Sequence, residues 1–106
     1  MEFREAQEAV DTWIREQDVG YWKPLALLAR LTEETGELAR EVNHAFGEKP
    51  KKAGEPPADL SGEMGDILFV LACMANAWGV DLGEAFEQSL AKVTRRDATR
   101  WKRPQG

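Results

Sequence analysis

The chain has 106 residues, 42% of them hydrophobic and 31% charged, with a net charge of −5. That hydrophobic share excludes an intrinsically disordered chain, and the length fits one domain spanning residues 1–106. The negative balance argues against a general nucleic-acid binder, which presents a basic face, so no stable nucleic-acid complex is expected. The lone cysteine, Cys73, cannot form an internal disulfide. It lies in an apolar stretch, which predicts a packed thiol and a reducing compartment. The N-terminus is polar and lacks a signal peptide's apolar core. The longest apolar run, Ile67 to Ala75, falls short of the ~20 residues of a membrane span. A cytosolic location is expected.

Residues 2–18 carry Phe3, Ala6, Val10, Trp13 and Ile14 at helical spacing, with Gly20 as a closing residue. Pro24 suits the first turn of a second helix, predicted to run to about Phe46. Leu25, Leu28, Leu31, Leu38 and Val42 supply its apolar contacts, and Arg30, Glu34, Glu37 and Glu41 form a charged row. Gly36 inside it costs about 1 kcal/mol relative to alanine, which predicts a close approach by a neighbouring backbone. Gly47 stops this helix, and residues 47–58, with three prolines and two glycines, read as a loop.

Asp59 or Ser61 caps a third helix that reaches about Trp78, with Gly79 as terminator. Its segment from Ile67 to Ala75 is apolar all round, so it must be buried all round, and self-association is the physical inference. Asp81-Leu82-Gly83-Glu84 opens a fourth helix as a capping-box variant. Leu82, Ala85, Phe86, Leu90 and Val93 make its stripe. It leads into a basic tail, about residues 92–106, with Lys92, Arg95, Arg96, Arg100, Lys102 and Arg103. The fold class expected is all-α: a four-helix, bundle-like protomer that assembles as a dimer or a dimer of dimers.

Two acidic pairs carry the chemistry. Glu34 and Glu37 are three residues apart, as are Glu63 and Asp66, and each pair shares one face of a helix. Helices laid side by side would aim four carboxylates at one point. That much like charge calls for a divalent cation, and an all-oxygen set suits Mg²⁺, with Mn²⁺ as a substitute. Zinc and di-iron sites are disfavoured because the one histidine, His44, is out of register with the acids and reads as a helix-end residue. A carboxylate-held Mg²⁺ leaves positions for substrate phosphates. Lys92, Arg95 and Arg96 can neutralise a polyphosphate, or can simply complement the helix C-terminus. Glu33 is either a proton acceptor for an attacking water or an exposed glutamate. Among the four tryptophans, Trp22 is the candidate to stack on a base.

The pattern Glu33-Glu34-x-x-Glu37, then 25 residues, then Glu63-x-x-Asp66, resembles the MazG-like nucleotide pyrophosphohydrolases of the all-α nucleoside triphosphate pyrophosphatase superfamily. Pro24-Leu25-Ala26, Glu37 to Asn43, Gly65 to Leu71 and Lys92-x-x-x-Arg96-Asp97-x-x-Arg100-Trp101 extend the likeness over about residues 20–101. The resemblance implies hydrolysis of a nucleoside triphosphate to monophosphate and pyrophosphate, with nucleotide-pool cleansing as the role. It implies Mg²⁺ held at Glu34, Glu37, Glu63 and Asp66, Glu33 as base, and Lys92 and Arg96 on phosphates. It also implies homodimers or homotetramers with sites lined by two chains. The rival expectations are a non-catalytic helical interaction module and a phosphohydrolase that releases single phosphates.

Overall fold

A computed structural model describes residues 1–47, 49–98 and 100. Four helices follow in order: α1 (Phe3–Glu16), α2 (Pro24–Phe46), α3 (Leu60–Trp78) and α4 (Leu82–Arg96). The described residues hold no strand, and the all-α class stands. Lys102, Arg103 and Trp101 of the basic tail lie outside the described residues.

Local chemistry sets the helix ends. Pro24 occupies the start of α2, where its missing N–H is no loss. The α3 cap is Asp59, whose Oδ1 accepts from the Gly62 N–H at 2.8 Å; Ser61 lies inside the helix. Gly79 ends α3 with a left-handed φ of 69°. Asp81 caps α4 by accepting from the Glu84 N–H at 2.9 Å. The stop of α1 differs from expectation: the helix ends at Glu16, not 18, and Gly20 lies beyond its cap. Asp18 and Gly20 both have positive φ, 65° and 68°. They turn the chain back so that Tyr21 reaches α1.

Helix α3 is the centre, flanked by α2 on one side and α1 on the other, while α4 packs chiefly on α1. Leu27, Val70, Cys73 and Met74 form the core, with Val10, Ile14, Tyr21, Leu31 and Leu71 against it. Leu27 was not among the residues expected to pack. Leu25 and Leu28 were expected to, and they are exposed on the face of α2 turned from α3. A Cβ at Gly36 would meet nothing within 4 Å among the described residues, so the expected close backbone approach is absent among them.

Burial of α3 is also one-sided. Val70 and the run Ala72–Ala75 are enclosed, while Met64 and Leu68 are about half exposed. Phe86 and Leu90 of α4 are exposed as well. The radius of gyration, 17.9 Å, exceeds the roughly 13 Å of a compact chain of this length. In an 18-residue window α3 reaches a mean hydropathy of 1.2, a value that the core helix of a bundle also attains. Glu63 and Asp66 in its first two turns, and helices on two sides, are features of a central bundle helix.

A polar clamp joins α1 to the α3–α4 junction. Asn76 Nδ2 donates to the Gln7 carbonyl and to the Tyr21 hydroxyl, both at 2.9 Å. Gln7 Nε2 donates to Asn76 Oδ1 and the Val80 carbonyl, and Gln7 Oε1 accepts from the Leu82 N–H. Tyr21 donates to Asp11 at 2.6 Å. Burial, helped by that bond to Asp11, pushes the Tyr21 phenol up from 10.0 to about 12. Because the folded value is the higher one, its contribution is whole below pH 10 and disappears as pH rises toward about 12. Urea midpoints measured across that window should fall steeply for the wild type and less for Tyr21→Phe.

Candidate metal centre and adjoining pocket

Packing of α2 alongside α3 brings three of the four paired acids together. Glu34, Glu37 and Glu63 each offer an oxygen within 4.8 Å of the others'. Glu34 is 4% exposed, the one buried charged residue among those described. Its Oε1 accepts from Arg30 Nε at 3.0 Å, while Oε2 is buried with no hydrogen-bond partner among the described residues. Glu63 Oε2 is likewise buried and unpartnered. Burying carboxylate oxygens without partners is costly, so their persistence here is informative.

Asp66 is not in the three-member group. Three residues advance a helix by about 300° and ~4.5 Å, and aspartate is one methylene shorter. Its side chain instead lines a neighbouring pocket together with Glu34. Asp66 still acts on Glu63: burial, then the charges of Glu37, Asp66, Glu34 and Glu41, push the Glu63 carboxyl above its ordinary value.

That pocket, about 530 Å³, lies between the end of α1, the 17–22 connection, α2 and α3. Trp13, Trp22 and Phe69 contribute its aromatic walls, with Leu27, Val70 and Cys73 deeper in. Trp13 meets Phe69 edge-on at 5.7 Å. Arg30 lines it too, its guanidinium 5.9 Å from the Trp22 ring centroid. Cys73 is buried and its thiol is pushed up by burial, a packed group as expected. Trp22 thus lines the same pocket as Glu34 and Asp66; Trp13, Phe69 and Arg30 were not singled out for this site. Nothing local marks them, since each reaches the pocket from a different element. For Arg30 the one available signal is its i, i+4 spacing to Glu34.

The remaining candidates lie apart. Glu33 is 100° around α2 from Glu34 and points out beside Trp22, Ala26 and Ala29, with Arg30 Nη1 4.0 Å away. Lys92 and Arg96 are exposed on α4, and Arg96 pairs with Asp97 at 3.2 Å. Since α4 leans on α1, one chain does not bring them to the carboxylates. His44 lies in the last turn of α2, its Nδ1 2.9 Å from the Lys49 carbonyl, outside the acidic group. Lys51 binds Glu41 at 3.2 Å and ties the long loop back onto α2.

Residues 22–101 match the MazG nucleotide pyrophosphohydrolase domain. The chain is 51% identical over 100 residues to YpjD of Bacillus subtilis, covering 94% of this chain and 90% of the relative. YvdC of the same organism is 28% identical over 102 residues, 91% of this chain and 96% of that one. The crystal structure of YpjD superposes with a TM-score of 0.80 at 48% identity, covering 92% of this chain and 97% of the other. A Bacillus-conserved MazG protein, a nucleotide pyrophosphohydrolase, gives 0.75 at 43% identity, with 87% and 88% covered.

The raised Glu63 carboxyl has a consequence without added cation. A group whose folded value is raised contributes stability at low pH that is lost as pH climbs through that value. In chelator, the wild type should therefore lose stability between acidic and neutral pH. Glu63→Gln should lose less and have the higher urea midpoint at pH 7. A lower midpoint for the variant at pH 7 would contradict the electrostatic account.

Proposed function

Because the chain belongs to the MazG nucleotide pyrophosphohydrolase family, we propose that it hydrolyses a nucleoside triphosphate, ribo or deoxy, between the α and β phosphates, releasing monophosphate and pyrophosphate. Cleansing of the nucleotide pool is the role that fits. The observation that carries the reading is the pair of buried, unpartnered oxygens on Glu34 and Glu63 inside a carboxylate cluster that opens onto an aromatic pocket.

Those oxygens fit a hard cation. The donor set is carboxylate only, which favours Mg²⁺ or Mn²⁺ over zinc or iron. Glu34, Glu37 and Glu63 would hold it, with Asp66 as the fourth ligand on the pocket side. When bound, the cation supplies the positive charge that polarises the phosphates and lowers the pKa of an attacking water.

The base would lie in the pocket, stacked on Trp22, with Trp13 and Phe69 as apolar walls. Its triphosphate would then extend toward Asp66 and Glu34. Glu33, one residue from Glu34 and open to solvent, would take the proton from the water. Lys92 and Arg96 would meet the departing pyrophosphate from the α4 of a second copy. The half-exposed Met64 and Leu68 on α3, and the exposed Phe86 and Leu90 on α4, support such a homodimer or homotetramer.

A panel of nucleoside triphosphates with Mg²⁺, assayed separately for pyrophosphate and orthophosphate, tests the reaction; orthophosphate as sole product would rule it out. Glu37→Ala and Asp66→Ala should abolish pyrophosphate release with helical circular dichroism intact. Glu33→Gln should lower kcat by about 10²–10⁴-fold, the range of a lost general base, and leave Mg²⁺ binding unchanged.

A further inference from the structure

Arg30 stands where the acidic cluster and the aromatic pocket meet. Its Nε donates to Glu34 Oε1 at 3.0 Å, which leaves the buried, unpartnered Oε2 as that residue's free donor oxygen. The same guanidinium lies 5.9 Å from the centroid of the Trp22 ring, and it is the one cation lining the pocket among the described residues. It therefore touches a wall of the base pocket and a carboxylate of the cluster with one rigid, planar group.

We propose that Arg30 is a positioning residue that couples the pocket to the cation site. It presents Glu34 with one oxygen held and one oxygen free, and it carries the position of Trp22 to that carboxylate. The proposal rests on the magnesium reading above. The physical reasons are two. Glu34 is buried among other carboxylates, and the guanidinium bonded to one of its oxygens fixes the orientation of the carboxylate. Outer partners of a ligating carboxylate hold its orientation, and losing one typically weakens metal binding about 10–100-fold. Lysine offers the charge without the planar fork that stacks on the indole while bonding through Nε. Since coupling between two ligands is reciprocal, a base stacked on Trp22 and a cation at Glu34 each tighten the other through this one side chain.

The test is calorimetric titration of the metal-free full chain with Mg²⁺ alone, with no nucleotide, alongside its thermal melt. Arg30 is half exposed on a helix surface, so Arg30→Gln should keep the wild-type helical circular dichroism, with a lower Tm because buried Glu34 loses its charged partner. It should bind Mg²⁺ about 10–100-fold more weakly than the wild type. Arg30→Lys should recover part of that loss, and Trp22→Ala should weaken binding by a smaller factor. Arg30→Gln binding within twofold of the wild type would overturn the positioning role, and wild-type affinity in Trp22→Ala would overturn the coupling. A wild type that does not bind Mg²⁺ would instead remove the magnesium reading, and this proposal with it.

Discussion

Packing of α2 against α3 forces like charges together, and the rest of the molecule is arranged around that constraint. The apolar contacts of Leu27 and Leu31 with Val70 and Met74 fix the two helices side by side. The acids follow, because their spacing puts them on the same seam. Repulsion between them opposes the very packing that brings them near. Mutually repelling carboxylates held in place by a core below them are a common compromise between stability and chemistry.

The elements were legible in the sequence where the signal is local. Pro24, Gly79 and Asp81 mark their boundaries by chemistry that acts within a few residues, and the choice between Asp59 and Ser61 needed only one hydrogen bond to decide it. The acidic pairs were legible for the same reason: three residues on a helix is a short distance. What periodicity cannot supply is the azimuth of one helix against another. Leu25, Leu27 and Leu28 all lie within two turns, and hydropathy alone does not say that Leu27 is the one facing α3. Asp66, too, pairs with Glu63 in the sequence yet faces the pocket rather than the trio.

The pocket itself is long-range. Its aromatic walls come from α1, from the connection after it and from α3, so no window of sequence contains it. Tyr21 explains why the connection stays in place. Its hydroxyl is held by Asp11 on one side and Asn76 on the other, which anchors the residue next to Trp22 to two helices. The polar clamp that fixes α1 thus also fixes the aromatic wall. The lean of α4 onto α1 has a similar origin, because Gln7 receives the Leu82 amide at the point where α4 begins.

The turn containing Asp18 and Gly20 separates two jobs that the protein must perform. The acids stand on continuous helices, where adding or deleting one residue would rotate every later side chain by about 100° and scatter them. The rim of the cleft stands on a short irregular stretch, where an insertion shifts only its own few residues. A change of length in this bend would therefore reshape the pocket's rim and leave the register of the acidic seam untouched.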